Sequence, residues 1–90
     1  MRIYKASEQF WNNFYNLSPA QKASARYAWE IFKQNPFDPR LKTHRINALS
    51  GVARRTIYSA WVEDDLRVVF YISGNVVYTV DIGTHGLYTA

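Results

Sequence analysis

Two stretches near the end of the chain decide its fold: Leu66-Arg67-Val68-Val69-Phe70-Tyr71-Ile72-Ser73 and Val76-Val77-Tyr78-Thr79-Val80-Asp81-Ile82. Both are rich in β-branched and aromatic residues, and Ser73-Gly74-Asn75 between them has the composition of a tight turn. They read as an antiparallel hairpin. Leu66, Val68, Phe70 and Ile72 form one apolar face, and Val76, Tyr78, Val80 and Ile82 form a matching one. Both faces meet the core when Ile72 lies opposite Val76, which leaves a three-residue loop and sets Arg67 opposite Asp81. A one-residue slip would turn the Asp81 carboxylate into the core at a high desolvation cost.

Outward from this hairpin, Ile57–Val62 reads as a further strand, joined through the Glu63-Asp64-Asp65 turn. Its inner face is open between two choices, Ile57 with Trp61 or Tyr58 with Val62. Before Gly51 the period changes. Ser18-Pro19-Ala20-Gln21 combines an N-cap serine, a proline at the first helical position and a capping-box glutamine. The helix it starts carries Ala20, Ala23, Tyr27 and Ile31 on one face, with Ala28 and Phe32 beside it, and ends at Asn35-Pro36. Ser7 caps an earlier helix with Phe10, Trp11, Phe14 and Leu17 at helical spacing. Arg2–Lys5 is a first short strand, and Thr43–Leu49 holds another. The predicted architecture is α+β: one domain over residues 1–90, its N-terminal strand and helical hairpin packed on one face of a mainly antiparallel sheet of four or five strands.

Arg67 stands out because a permanently charged guanidinium in an apolar strand needs a partner or a task. The plain structural reading is a cross-strand ion pair with Asp81. The functional reading adds His85 and Tyr88 just beyond the next strand, a set of side chains suited to handling a phosphate. The two readings are compatible, since an arginine held by a carboxylate is already oriented for an anion.

The formal charge of +4 is concentrated. Arg40, Lys42, Arg45, Arg54 and Arg55 lie within residues 40–55 with no acid among them, and the rest of the chain has six cations against seven acids. Such a segment suits an anionic partner, nucleic acid or an acidic protein; the bland reading is a solvated loop. The chain has no cysteine, which removes disulfides and thiolate metal sites and fits a reducing cytoplasm. No run is apolar enough for a signal peptide or a membrane span, so a soluble, cytoplasmic protein with no membrane partner is expected. Two histidines and scattered carboxylates lack metal-site spacing; no glycine-rich loop opens a helix, and no serine sits in a nucleophile elbow. No metal or other cofactor is expected.

The order of elements, the run Asp65-Leu66-Arg67-Val68-Val69-Phe70, the ending Ile82-Gly83-Thr84-His85-Gly86-Leu87-Tyr88 and the segment Leu41-Lys42-Thr43-His44-Arg45-Ile46 resemble the RelE/ParE toxin superfamily, nearest to its YafQ-type branch. The resemblance spans nearly the whole chain. It implies a small toxin paired with an antitoxin, acting as a metal-independent endoribonuclease on messenger RNA at the ribosome, and meeting operator DNA only through the antitoxin complex. His44, Asp65 and His85 resemble histidine and acidic positions of that branch, whereas Arg67 resembles a strand arginine of other branches. Trp61 stands near the position where the branch has another histidine, and Tyr88 replaces a terminal phenylalanine. The resemblance thus gives His85, Arg67, His44, Asp65 and Tyr88 as catalytic candidates. Arg40, Lys42, Arg45, Arg54, Arg55 and Trp61 are candidates for holding RNA by charge and stacking. Two other readings stand beside it: a toxin acting on DNA gyrase, and a non-enzymatic binding module in which Arg67 and Asp81 only stabilise the sheet.

Overall fold

The structure, a computed structural model, describes residues 2–47, 50–51 and 54–84. In chain order these form β1 (Ile3–Ala6), α1 (Glu8–Tyr15), α2 (Pro19–Phe32), β2 (His44–Arg45), β3 (Tyr58–Glu63), β4 (Leu66–Ser73) and β5 (Val76–Gly83), with a short 3-10 turn at Pro39–Leu41. The five strands make one sheet in the order β1-β5-β4-β3-β2. Pairing is antiparallel except at one edge, where β1 runs parallel to β5.

Local chemistry sets the helix starts as the sequence indicates. The Ser7 side chain accepts from the Phe10 amide, and Ser18 with Gln21 closes a reciprocal capping box behind Pro19. The buried face of α2 differs from the expected one. Ala25, Ala28 and Phe32 are buried, whereas Ala20 and Ala23 are exposed and Tyr27 is 68% exposed. The two stripes overlap on the helix surface. Phe32 selects between them, because its ring meets Phe70 edge-on at 4.9 Å while the small alanines let the helix approach the sheet.

Both helices share one core with the sheet. Phe14, Ala25, Ala28 and Phe32 pack with Leu41, Ala60, Val62, Leu66, Phe70, Val77 and Ile82. Full burial of a side chain such as Phe70 contributes about 1.5–3 kcal/mol. The open choice for β3 is resolved by Tyr58, Ala60 and Val62, which face the helices. On the far side of the sheet Ile46, Ile57 and Val69 form a smaller cluster with Tyr71. That cluster pins the basic segment onto the sheet. The expected strand over 43–49 is only two residues long. After it the Ile46 amide donates to Ile57 O, and Asn47, Ser50 and Gly51 are helical. Ser50 fastens the segment with a hydroxyl that accepts from the Ile57 amide at 2.8 Å.

The expected register of the β4/β5 hairpin is corrected. Ser73 pairs with Val76 and Ile72 with Val77, leaving Gly74-Asn75 as a two-residue turn with Gly74 at φ +61°. Farther along, Phe70 pairs with Thr79 but Val69 with Asp81, so Val80 is an extra residue in β5. Arg67 therefore lies opposite Gly83 and Asp81 opposite Val69. A β-bulge breaks the period-two pattern. Val77 and Ile82 both reach the helix-side core, although strict alternation would have put them on opposite faces.

The bulge brings Asp81 to α1. It is only 9% exposed, yet its carboxylate accepts from Gln9 Nε2 and Asn13 Nδ2, each at 2.6 Å, and from the Ile82 amide at 2.8 Å. Burial that looked prohibitive from sequence is offset by three donors. None of the described helices is long and apolar enough to cross a membrane.

Candidate active site

Several of the described candidate residues lie on the sheet face turned away from the helices. Side chains alternate along a strand, so Arg67, Val69 and Tyr71 share that face, and the last two belong to the outer cluster. Ser59 lies opposite Val69, and His44 opposite Ser59. This puts His44 on the same face, two strands from β4. With strands about 4.8 Å apart and a rise of about 3.4 Å per residue, the Cα atoms of His44 and Arg67 are roughly 12 Å apart. Side chains extending toward each other across that span can bracket a phosphodiester.

Arg67 is held in place without being sealed off: its side chain is 20% exposed. Its charged neighbour is Asp65, two residues back in the turn before β4, with Nη2 3.4 Å from Oδ1. At that length the pair is a loose charge contact. The expected partner Asp81 is committed to α1 instead.

His44 is exposed, and its Nδ1 lies 3.1 Å from Lys42 O, a carbonyl presented by the left-handed backbone of Lys42 (φ 49°). When Nδ1 donates its proton to that carbonyl, the neutral ring keeps its basic lone pair on Nε2. Between His44 and Val69 sits Ser59, 1% exposed, whose Oγ has no hydrogen-bond partner among the described residues. Sequence reading passed over Ser59 because nothing distinguishes a strand serine until its neighbours are known.

The basic segment is not uniformly available. Arg40 is engaged with Asp38, which accepts from Arg40 Nε and Nη2, each at 3.0 Å. These hydrogen bonds hold the Asp38 carboxyl below the ordinary carboxylate range. Lys42 Nζ lies 4.6 Å from the centroid of Trp61, and Arg55 Cζ lies 4.3 Å from that of Tyr71. Arg45 and Arg54 are exposed. Trp61 is opposite Arg67 across β3 and β4, but its ring also walls a small hollow with Tyr27, Ile31 and Leu41. It therefore lies toward the β3 edge, with Lys42 over its ring and Nε1 donating to Asp64 O. Such a ring is a poorer open platform for a base than the sequence suggested.

A hollow of about 650 Å³ lies on the other side of the sheet and is lined mainly by apolar side chains of the helical core. Neither His44 nor Arg67 lines it. Among the described residues no group of His, Asp and Glu side chains is placed to hold a metal ion.

No family model and no curated protein matches this sequence. Solved structures do match it along its length. YafQ from E. coli strain BL21(DE3) superposes with a TM-score of 0.73 at 18% identity, covering 100% of both chains. A chain of the archaeal RelE-RelB complex from Pyrococcus horikoshii OT3 gives 0.72 at 16% identity, covering 96% of this chain and 97% of that one. The YoeB/ParE toxin from Agrobacterium tumefaciens gives 0.71 at 14% identity, covering 94% and 99%. The chain has the fold of the RelE/ParE toxins. A chain of the E. coli DinJ-YafQ toxin-antitoxin complex matches as well, with a TM-score of 0.70 at 18% identity over 99% of this chain and 98% of that one.

Within this RelE/ParE fold, Arg67, Asp65 and His44 are brought to one region of the outer face. Arg40 is drawn off by Asp38, and Trp61 is turned to an edge. His85 and Tyr88 lie outside the described residues.

Proposed function

We propose that this chain is the toxin of a toxin-antitoxin pair and an endoribonuclease that cleaves messenger RNA on the outer face of its sheet. One observation carries the reading: Arg67 stands on that face, partly buried and partly open, with His44 on the same face, in a fold shared with YafQ and RelE. In the proposed reaction the RNA 2′-oxygen attacks the adjacent phosphorus and loses its proton to a base. The bond from phosphorus to the 5′-oxygen breaks, and that oxygen takes a proton from an acid. The products are a cyclic phosphate and a free 5′-hydroxyl. Arg67 binds the phosphate oxygens as their charge grows. His44 and His85 provide the two proton transfers, one as base and the other as acid. Asp65 keeps Arg67 oriented, and Tyr88 stays a further catalytic candidate. No step requires a metal ion.

Lys42, Arg45, Arg54 and Arg55 attract the RNA backbone without reading sequence, with Arg40 a weaker contributor because of Asp38. An antitoxin that covers residues 40–55 with acidic side chains would bind quickly and lose affinity with salt. Operator DNA is then met only through that complex, and the setting is the cytoplasm, at the ribosome. Cleavage of free and of translating messenger RNA, in the presence of a chelator, tests the reading. Arg67→Ala, with folding checked by thermal melting, is expected to lose at least about 10²-fold in rate. A folded Arg67→Ala variant that cuts as fast as the parent overturns the proposal, and so does the absence of cleavage in both settings. Inhibition of gyrase supercoiling without RNA cleavage would establish the ParE-type reading instead.

A further inference from the structure

The outer face carries a second feature that catalysis leaves unused. Tyr71 of β4 and Tyr78 of β5 are cross-strand partners, and their rings stack with centroids 4.9 Å apart and planes 24° apart. Arg55, arriving from the β3 side, lays its guanidinium over Tyr71 at 4.3 Å. On the other side, β1 pairs Lys5 with Tyr78, so Lys5 flanks the second ring on the same face. Across the sheet the order is therefore cation, ring, ring, cation. Both tyrosines are partly exposed, both cations are exposed, and no acid stands in the row.

We propose that this row is a seat for single-stranded RNA, separate from the cleavage site: a base stacks on the partly exposed ring of Tyr78, and Lys5 and Arg55 hold the flanking phosphates. The proposal rests on the endoribonuclease reading for its substrate. Stacked rings between cations suit a strand that alternates flat bases with anionic phosphates, and base stacking tolerates any sequence. An acidic peptide would use the cations but gain little from the ring faces.

Placement adds to the argument. Tyr71 and Arg67 are four residues apart on one face of one strand, about 13 Å at the usual rise. At a stacked spacing of roughly 3.4 Å, that is room for at most about four nucleotides. One strand of RNA can thus occupy both places, the row acting as an anchor that fixes where the strand crosses Arg67. Since binding at the row is independent of bond cleavage, it is measurable with nucleic acid that cannot be cut.

The test is the affinity of the purified full chain for a fluorescent 2′-O-methyl oligonucleotide of ten residues, which lacks the attacking hydroxyl. Tyr78→Leu, which keeps an apolar side chain, is expected to weaken binding by about 5- to 150-fold, the range for one lost stacked base. Arg55→Gln and Lys5→Gln are each expected to reduce the slope of log affinity against log salt by about 0.7. An oligonucleotide of the same charge with abasic sites is expected to bind parent and Tyr78→Leu equally. If Tyr78→Leu, folded by thermal melting, binds the intact oligonucleotide like the parent, the seat is overturned. Equal losses on intact and abasic strands overturn it too, as does a row whose substitutions weaken an acidic antitoxin peptide alone. RNA cleavage by Arg67→Ala, assayed separately, shows whether the catalytic reading fails independently of the seat.

Discussion

Asp81→Ala tests the feature of this fold that departs most from the expected register. The carboxylate is 9% exposed and receives Gln9 Nε2 and Asn13 Nδ2 at 2.6 Å and the Ile82 amide at 2.8 Å. A hydrogen bond to a charged group contributes about 1.5–3 kcal/mol, which would suggest a very large total. The true loss is smaller, because Gln9 and Asn13 sit near the surface and can turn to water once the carboxylate is gone. Counting the Ile82 amide in full and the two side-chain donors in part, roughly 2–4 kcal/mol should be lost. In a domain of this size that lowers Tm by roughly 10–30 °C. Asp81→Asn should lose about half as much, since it keeps one carbonyl oxygen but points its own amide at a donor. Urea unfolding gives the values, and double-mutant cycles separate the two registers. Coupling of Asp81→Ala with Asn13→Ala should be about 1 kcal/mol, while coupling with Arg67→Ala should stay below about 0.5 kcal/mol. The bulged register is refuted if Asp81→Ala unfolds within about 0.5 kcal/mol of the parent, or if Asp81 couples more strongly to Arg67 than to Asn13.

Ser59→Ala should leave stability unchanged or raise it by up to about 1 kcal/mol, because the buried hydroxyl has no partner among the described residues to lose; a clear loss in urea unfolding would reveal one. His85→Ala should slow RNA cleavage by about 10²–10⁴-fold without shifting Tm, and an unchanged rate in a folded variant removes it from the mechanism. The Asp38 carboxyl, held down chiefly by the Arg40 side chain, contributes stability that is full above its ordinary value of 3.8 and is lost as pH falls through the lowered one. NMR titration should show the low value in the parent and its return toward the ordinary range in Arg40→Ala. Neutralising Lys42, Arg45, Arg54 and Arg55 together should weaken antitoxin binding and flatten its salt dependence, and an unchanged affinity would place the antitoxin elsewhere.

Sequence by itself determined the parts of this protein that depend on neighbours along the chain. Helix starts were legible because a cap is a contact over three residues: Ser7 to Phe10, and Ser18 to Gln21. The three long strands were legible because period-two patterning is written into each of them, and with the helices they give the α+β architecture. The placement of Arg67 on the outer face was legible for the same reason. Tertiary structure decided everything that required comparing distant segments. Whether Ala25 or Ala23 of α2 faces the core depends on where Phe32 meets Phe70, thirty-eight positions away. The bulge at Val80 could not be read from β5, because its compensation, the amides of Gln9 and Asn13, lies on another element. Arg40 looked like a free cation until Asp38, outside the charge run, was seen to hold it. The row of Arg55, Tyr71, Tyr78 and Lys5 joins a loop and three strands that only the sheet brings together. Local patterning measures what a segment prefers. Register, burial and charge pairing are set by the one packing in which distant preferences are satisfied together.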